Sequence, residues 1–429
     1  MNRMKGPDKT ITVIGGGPSG MAAAISVARQ GTGTVRLIEK NDILGRKLLA
    51  TGNGRCNLTN TSCPDAETVL RFFDGLGLIT RVEDEGRVYP YSEQASAVRE
   101  VLISELEHLK VEILCGLEVK SIEKTDSGFR ITADGNIFYT DAVILATGGK
   151  AGPQYGSTGD GYRFARAFGH SVVSIRPSLV QMVSGEPFFK SLKGVRAKGQ
   201  AELLHGGRTE EHGQAAYRGQ AADFGSKKNS EQAADREYGE IQFTEDGLSG
   251  ICIFNLSRDY VRGDIIRMDF FPEYSEERLN QILTERAKAL AGRSMTEFFT
   301  GMLHKKLIPV ILPLLSLEEE KKAASLSRAE IAGAVQLLKG WRIPVTGTKG
   351  WKEAQVTAGG VDLAEIDPRT MESHLAPGLY FAGELLNVDE KCGGYNLQWA
   401  WSSGLTAGKS AAAAVENKYA TEGVNAVKK

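Results

Sequence analysis

Three glycines and one acid carry the first chemistry legible in this chain. Gly15-x-Gly17-x-x-Gly20 follows an apolar run, Ile11 to Ile14, and opens a small-residue stretch; a second apolar run, Val35 to Ile38, ends on Glu39. In a strand–turn–helix–strand unit this spacing makes a dinucleotide site. Gly15 permits the sharp turn, Gly17 lets a pyrophosphate approach bare backbone, and Gly20 lets the helix pack closely on the strand, with the helix N-terminus facing the phosphates. Glu39 stands where it can accept from ribose hydroxyls. A glycine turn that merely tightens a strand–helix junction would not need that acid.

Residues 41–60, NDILGRKLLATGNGRCNLTN, are too rich in glycine, asparagine and arginine to be core. A connection that follows a nucleotide strand and offers so many backbone amides suits a loop lying along a phosphate or ring system, the alternative being a solvated loop. Cys56 reads as packed rather than nucleophilic, because no histidine lies near it in sequence. Residues 156–162, GSTGDGY, open a helix expected over 163–169, and their amides either hold an anion or simply cap that helix. Far along the chain, Gly378-Leu-Tyr-Phe-Ala-Gly383-Glu384 is another apolar strand ending in glycine and an acid, and residues 392–401, CGGYNLQWAW, run into a helix. Amides at that helix start would favour negative charge on a bound ring. Gly404, Gly408 and Ala412 give the helix a small-residue face able to lie close to a sheet or cofactor. Tyr395, Arg55 and Tyr155 are candidate acid–base groups, each with a packing or phosphate-binding role equally open, so no catalytic residue is assigned.

The elements that must position these residues read as a doubly wound α/β domain. Ser92 is a reasonable cap for a helix in which Ala95, Val98, Val101, Leu102, Leu106 and Leu109 recur at three and four. Residues 111–114 form a short strand, and 118–123, 128–133 and 136–139 alternate as an antiparallel meander. Residues 142–146 then return the chain to the nucleotide sheet at Thr147-Gly148-Gly149. Between 176 and 349 the character changes. Residues 176–204 and 240–270 read as strands. Residues 205–238 hold few large apolar side chains and read as an exposed, mobile excursion, with His205 and His212 solvated rather than metal-bound. A helical block follows, with Ser275, Ser294, Ser316 and Ser327 as starts and glutamates completing capping boxes behind the last three.

The composition narrows the class. A chain of 429 residues exceeds one ordinary core, so two or three domains are expected. Charged residues at 24% and apolar ones at 41% are ordinary for a globular protein, and a net charge of −1 gives no electrostatic reason to expect nucleic acid. Five scattered cysteines without any CxxC argue against a disulfide framework or a zinc site and favour the cytoplasm; no metal is expected. The polar start, residues 1–9, leaves no room for a signal peptide. The apolar run 307–315 carries Pro309 and Pro313 and is too short for a membrane span. It reads as internal packing, with an apolar substrate wall as the alternative.

The sequences LGRKLLATGNGRCNLTN, GRVYPYSEQAS, VILATGGKAGPQYGSTGDGY, FTEDGLSG, VTAGGV and GLYFAGELLNVDEKCGGYNLQWAWSSG resemble the bacterial YhiN/BaiN-like flavoproteins, across residues 10 to about 415. Members carry labels such as NAD(P)/FAD-dependent oxidoreductase, aminoacetone oxidase family, or 3-dehydro-bile acid reductase. The resemblance implies a Rossmann-like FAD-binding domain formed by both chain ends (1–175 and 350–429). Inserted between them would be a β-rich domain (176–272 plus about 340–350) and a small helical domain (273–339). It implies that Gly15, Gly17, Pro18, Ser19 and Gly20 hold the pyrophosphate, and Glu39 and Lys40 the adenosine ribose region. Arg46, Lys47, Thr51, Gly52, Asn53 and Asn57 would meet phosphates and flavin, Val119 the adenine, and Ala146, Thr147 and Gly148 the ribose. Gly383 and Glu384 would lie by the ribityl chain, and Gly394, Asn396, Leu397 and Gln398 by the isoalloxazine. The expected activity is hydride transfer through FAD, with NAD(P)H as the donor that the family's labels imply, docking transiently because there is no second fingerprint. The expected substrate is a small molecule, an unsaturated oxo compound of 3-oxo-Δ4 steroid or bile-acid type. An oxygen-using amine or aminoketone oxidase and a flavin-carrying RNA-associated protein are the alternatives.

Overall fold

The computed structural model describes residues 9–205 and 233–427. The chain divides into two compact units, one comprising residues up to Ser178 together with Trp351 onward, the other Leu179–Gly350.

In the first unit the apolar runs become parallel strands. Thr10–Ile14 pairs with Thr34–Ile38 on one side and Ala142–Leu145 on the other, with Ile11 opposite both Val35 and Ala142. Glu112–Leu114 and Leu379–Phe381 complete a five-stranded parallel sheet. Strands covered on both faces read as continuous apolar runs, and Ile11, Val13, Leu37, Val143, Ile144 and Leu145 are fully buried. The first strand lies between the strand that follows it and the strand that returns at 142. Winding reverses there, leaving a crevice beyond the carboxyl ends of the strands. Val119–Lys124, Phe129–Ala133 and Asn136–Thr140 form the expected meander.

Two local expectations change. The helix Ala95–His108 begins behind Gln94, not Ser92. Glu93 adopts φ +56° and its amide bonds to Pro90 O, so a turn intervenes between the serine and the first helical residue. The small-residue face of the terminal helix Tyr395–Val427 lies against the helix Pro18–Ala28 rather than a sheet. A Cβ on Gly404 would sit 2.3 Å from Ser19 O, and one on Gly408 2.4 Å from Ala23 O.

In the second unit a seven-stranded sheet runs in the order Trp341–Pro344, Ile265–Asp269, Arg196–Leu204, Ala233–Phe243, Gly247–Ser249, Met182–Val183, Gly347–Thr348, every pair antiparallel. One apolar cluster joins it to the helices, including Leu203, Phe243 and Ile266 from strands and Leu283, Phe299, Ile311 and Leu338 from the helical block. Residues 240–270 are not all strand. Gly250 (φ +109°) approaches the neighbouring strand so closely that a Cβ would lie 2.2 Å from Glu240 O. Beyond it, Ile251–Leu256 is a helix that buries Cys252, Ile253 and Leu256.

Ser275 caps Glu276–Ala289, and Ser294 and Ser327 form the expected capping boxes. Ser316 ends a helix instead of starting one. At φ +54° it donates its amide to Pro313 O while Leu317 N reaches Leu312 O, a left-handed C-terminal cap for Ile308–Leu314. That helix turns Ile308, Ile311 and Leu312 into the core, so the 307–315 run is packing and not an exposed wall. Of the expected excursion, residues 233–238 belong to a strand, and 206–232, with His212, lie outside the described residues. His205 Nδ1 is 3.1 Å from Asp264 Oδ1.

Candidate functional site

The fingerprint turn meets the returning strand backbone to backbone. A Cβ on Gly15 (φ +107°) would fall 2.4 Å from Ala146 O, and one on Gly20 only 1.8 Å from Gly15 O. No larger residue fits either position. Gly17 is the opposite case, with nothing among the described residues within 4 Å of a Cβ built there. It is the N-cap of Pro18–Ala28 and no side chain caps the helix, so the amide end opens onto free space.

Glu39, buried at the end of the second strand, accepts at one oxygen from Gly16 N (2.6 Å) and at the other from Asn41 N and Nδ2 (2.8 and 2.7 Å). The oxygen that accepts from Gly16 keeps a further lone pair for a ligand hydroxyl, while the other already accepts twice from Asn41. Lys40 Nζ bonds Thr158 Oγ1 at 2.5 Å and pairs with Asp160. Against the penalty of partial burial, the Lys40 bond holds the Asp160 carboxyl below its ordinary value. That carboxyl sits in the first turn of Asp160–Ala167, so residues 156–160 are tied down as well as capping a helix. Val119 is buried at the start of the meander.

Residues 51–57 are not a floppy loop, and one of them, Cys56, joins the core. Gly52, Asn53, Gly54 and Cys56 all take positive φ, folding the run into a compact knot. Cys56 is fully buried and burial pushes its thiol up to about 12, which removes it as a nucleophile. Arg55 stacks over Tyr89 at 4.1 Å and pairs with Glu83 and Glu93, so it holds this loop to its neighbours. Arg46 is exposed. Lys47 Nζ reaches Glu384 Oε2 at 2.8 Å, joining residues far apart in the chain.

Glu384 also accepts from Thr357 N (2.8 Å) through Oε1, while Thr357 Oγ1 accepts from Lys150 N and Ala151 N (2.8 and 3.0 Å). Thr357, in the strand Val356–Val361, is thus a joint of the site that sequence reasoning missed. Its signal was a hydroxyl inside a run of small buried residues. Gly383 (φ +75°) would drive a Cβ to 2.4 Å from Ser19 Oγ, which brings the two chain ends together at the fingerprint helix. At the start of the terminal helix Asn396 closes the preceding loop by bonding Glu390 O and N (2.8 and 2.9 Å). Buried Gln398 accepts from Thr59 Oγ1 (2.6 Å) and donates to Pro64 O (3.2 Å), and Leu397 packs on the core.

Tyr395 OH lies 2.7 Å from Ser62 Oγ, which lies 2.7 Å from Asn60 Oδ1. Asn60 donates through Nδ2 to Glu85 O and Gly393 O, which fixes Oδ1 as an acceptor. Ser62 therefore gives its proton to Asn60 and receives that of Tyr395. Tyr155 is half-buried in the 153–155 turn.

A bound dinucleotide fits this geometry. The uncapped amides stand at Gly17, and two buried polar atoms, Asn57 Oδ1 and Thr147 Oγ1, have no hydrogen-bond partner among the described residues. Asn57 Oδ1 would be 2.9 Å from a Cβ at Gly394, and Thr147 leads into Gly148 at φ +72°. Both orphans therefore lie in segments where glycine keeps the backbone open. Among the described residues no group of His, Cys, Asp and Glu could hold a metal ion, and no helix is long and apolar enough to cross a membrane.

Fold and site together define a Rossmann-type FAD-binding oxidoreductase. The family described as "HI0933-like protein Rossmann domain" matches residues 9–68 and 65–410, and the chain belongs to it. It is 38% identical to the 3-dehydro-bile acid delta(4,6)-reductase of Clostridium scindens, over 94% of this chain and 98% of that one. It is 28% identical to the ribosomal RNA dihydrouridine synthase of Escherichia coli, over 91% and 95%. A weaker likeness of fold links it to the solved 3-ketosteroid-delta4-(5alpha)-dehydrogenase of Rhodococcus jostii RHA1, with 14% identity, coverage of 95% and 98%, and a TM-score of 0.45.

Proposed function

We propose that the protein uses NAD(P)H to saturate a carbon–carbon double bond conjugated to a carbonyl, with a 3-oxo-Δ4 steroid or bile-acid type compound as the substrate class. The near end-to-end similarity to a bile-acid delta(4,6)-reductase carries this reading. In our assignment Gly15, Gly17, Pro18, Ser19 and Gly20 hold the pyrophosphate, Glu39 and Lys40 the ribose, and Lys47, Glu384, Asn57 and Thr147 the middle of the cofactor. Asn396, Leu397 and Gln398 border the ring. When bound, FAD supplies the hydride chemistry; the chain supplies orientation and the field of its helix ends. The single fingerprint favours a nicotinamide that visits rather than resides.

The test is anaerobic bleaching of the purified yellow protein with NADH or NADPH, followed by addition of a 3-oxo-Δ4 or Δ4,6 steroid. Reoxidation faster than in buffer supports the reading, and equal rates remove it. A second reading has its own support in the two ribosomal RNA dihydrouridine synthases, each 28% identical over 91% of this chain. The uracil double bond is also conjugated to a ring carbonyl, so the chemistry is shared and the reading differs in what delivers the double bond. Dihydrouridine formation in ribosomal RNA, scored after incubation with enzyme and NADPH, separates the two.

A further inference from the structure

The second unit carries a charge distribution that the overall balance conceals. Between Glu186 and Glu202 the sequence holds Lys190, Lys193, Arg196 and Lys198 and no acid. Ala201 and Leu203 are fully buried on the core side of the strand Arg196–Leu204, so Arg196, Lys198, Gln200 and Glu202 line its other face. Register extends that face sideways. Tyr238 stands opposite Gln200, and Glu202 is flanked by Arg236 on one side and Arg267 on the other. At the near end Lys306 Nζ bonds Lys193 O (3.4 Å), which brings the exposed turn of Lys305 and Lys306 against the run.

Eight cations thus share one stretch of surface with three carboxylates: Glu245 on Lys193 (2.7 Å), Glu240 on Arg196 (3.2 Å), and Glu202 between the two arginines. Lys190, Lys198 and Lys305 have no carboxylate partner among the described residues, and the neighbouring Asp246 and Asp269 are already matched by Lys349 and Lys339. Alternate strand residues repeat at about 6.6 Å, so the cations form a row that can follow a chain of phosphates. Tyr238, 61% exposed within that row, offers a ring on which an unpaired base can stack.

We infer that this sheet face is a docking surface for single-stranded RNA. The inference deepens the second reading above, since it names how a nucleic acid substrate would be held, and it rests on that reading for its biological sense. Fluorescence anisotropy of the full-length FAD-loaded protein with a labelled twenty-nucleotide polyuridylate, at several KCl concentrations, tests it. Binding should weaken linearly in log–log form as salt rises. The K193E/R196E/K198E variant should bind at least about tenfold more weakly, with a salt slope shallower by about 2. K190E/K305E should weaken binding independently, Y238A should weaken it with the slope kept, and K322E, elsewhere in the unit, should leave it unchanged. Absence of salt-dependent binding, wild-type affinity in both charge-reversal variants, or equal binding of a polyglutamate peptide competitor would overturn the inference. RNA binding lost in the variants without any dihydrouridine formation would sustain the surface and sink the reaction assigned to it. Dihydrouridine formation unaffected by the variants would do the reverse.

Discussion

The two units put their charges to different uses. In the first, cations are spent inside the site: Lys40 on Asp160, Lys47 on Glu384, Arg55 on Glu83 and Glu93, each tying together segments distant in sequence. In the second, a row of cations outnumbers its acids on an open sheet face. Partly buried pairs fix geometry because each partner would otherwise be a desolvated charge. Exposed cations, whether loosely paired or unmatched, contribute little to folding and are available to a partner. Positions in the first unit should therefore answer in stability and cofactor retention, and the row in the second unit chiefly in binding.

The largest effect should come from Gly20→Ala. Its Cβ would fall 1.8 Å from a backbone oxygen that has nowhere to move, so a loss of about 3 kcal/mol and of bound FAD is expected, read from the urea midpoint and the visible spectrum. Glu384→Ala should follow. It strips Lys47 of its partner and Thr357 N of its acceptor, costing about 2 kcal/mol and weakening FAD affinity by about tenfold or more in a fluorescence titration. Retention of wild-type affinity would show that this clasp does not shape the cofactor site.

His170 gives a smaller, pH-dependent effect. Its side chain is wholly buried, with Nδ1 2.9 Å from Glu365 and Nε2 2.7 Å from Ser373 Oγ. The Ser373 oxygen already accepts from Leu375 N and Ala376 N, so it must donate to Nε2, and the neutral ring carries its proton on Nδ1. Burial lowers the pKa of His170 from 6.5 despite the upward pull of Glu365. A base with a depressed folded pKa binds fewer protons folded than unfolded, so its contribution to stability should fall as pH drops below about 6.5. It should level off once pH is below the folded value. His170→Phe should flatten that part of the stability–pH curve measured by urea titration. The loss expected from Glu365, whose carboxyl is held below its ordinary 4.5, lies at more acid pH. The smallest effect is the sharpest contrast: K193E/R196E/K198E should leave FAD content unchanged and lower the urea-derived stability by only about 1 kcal/mol, the loss of the exposed pairs with Glu245 and Glu240.

Much of the first unit could be read without coordinates because its signals are local. A turn that only glycine can make, an acid one strand later, and apolar runs of strand length each follow from the stereochemistry of a few adjacent residues. The same holds for Ser294 and Ser327, whose capping glutamates sit three residues on. Ser316 has the same pattern and the opposite role, because the proline-bearing helix before it had to end and a left-handed residue was needed there. Residues 251–256 misled for a similar reason, since the close approach of Gly250 to another strand is invisible along the chain.

What the sequence by itself determined is the class of ligand and the sheet that presents it. These depend on backbone freedom at Gly15, Gly17 and Gly20 and on hydrophobic periodicity, properties carried by neighbours in the chain. Only the tertiary structure decided which polar and charged groups meet. Lys47 with Glu384, Thr357 with Lys150, and the row from Lys193 to Arg267 are set by strand register and crossing connections, and a net charge of −1 cannot say where on the surface its components gather.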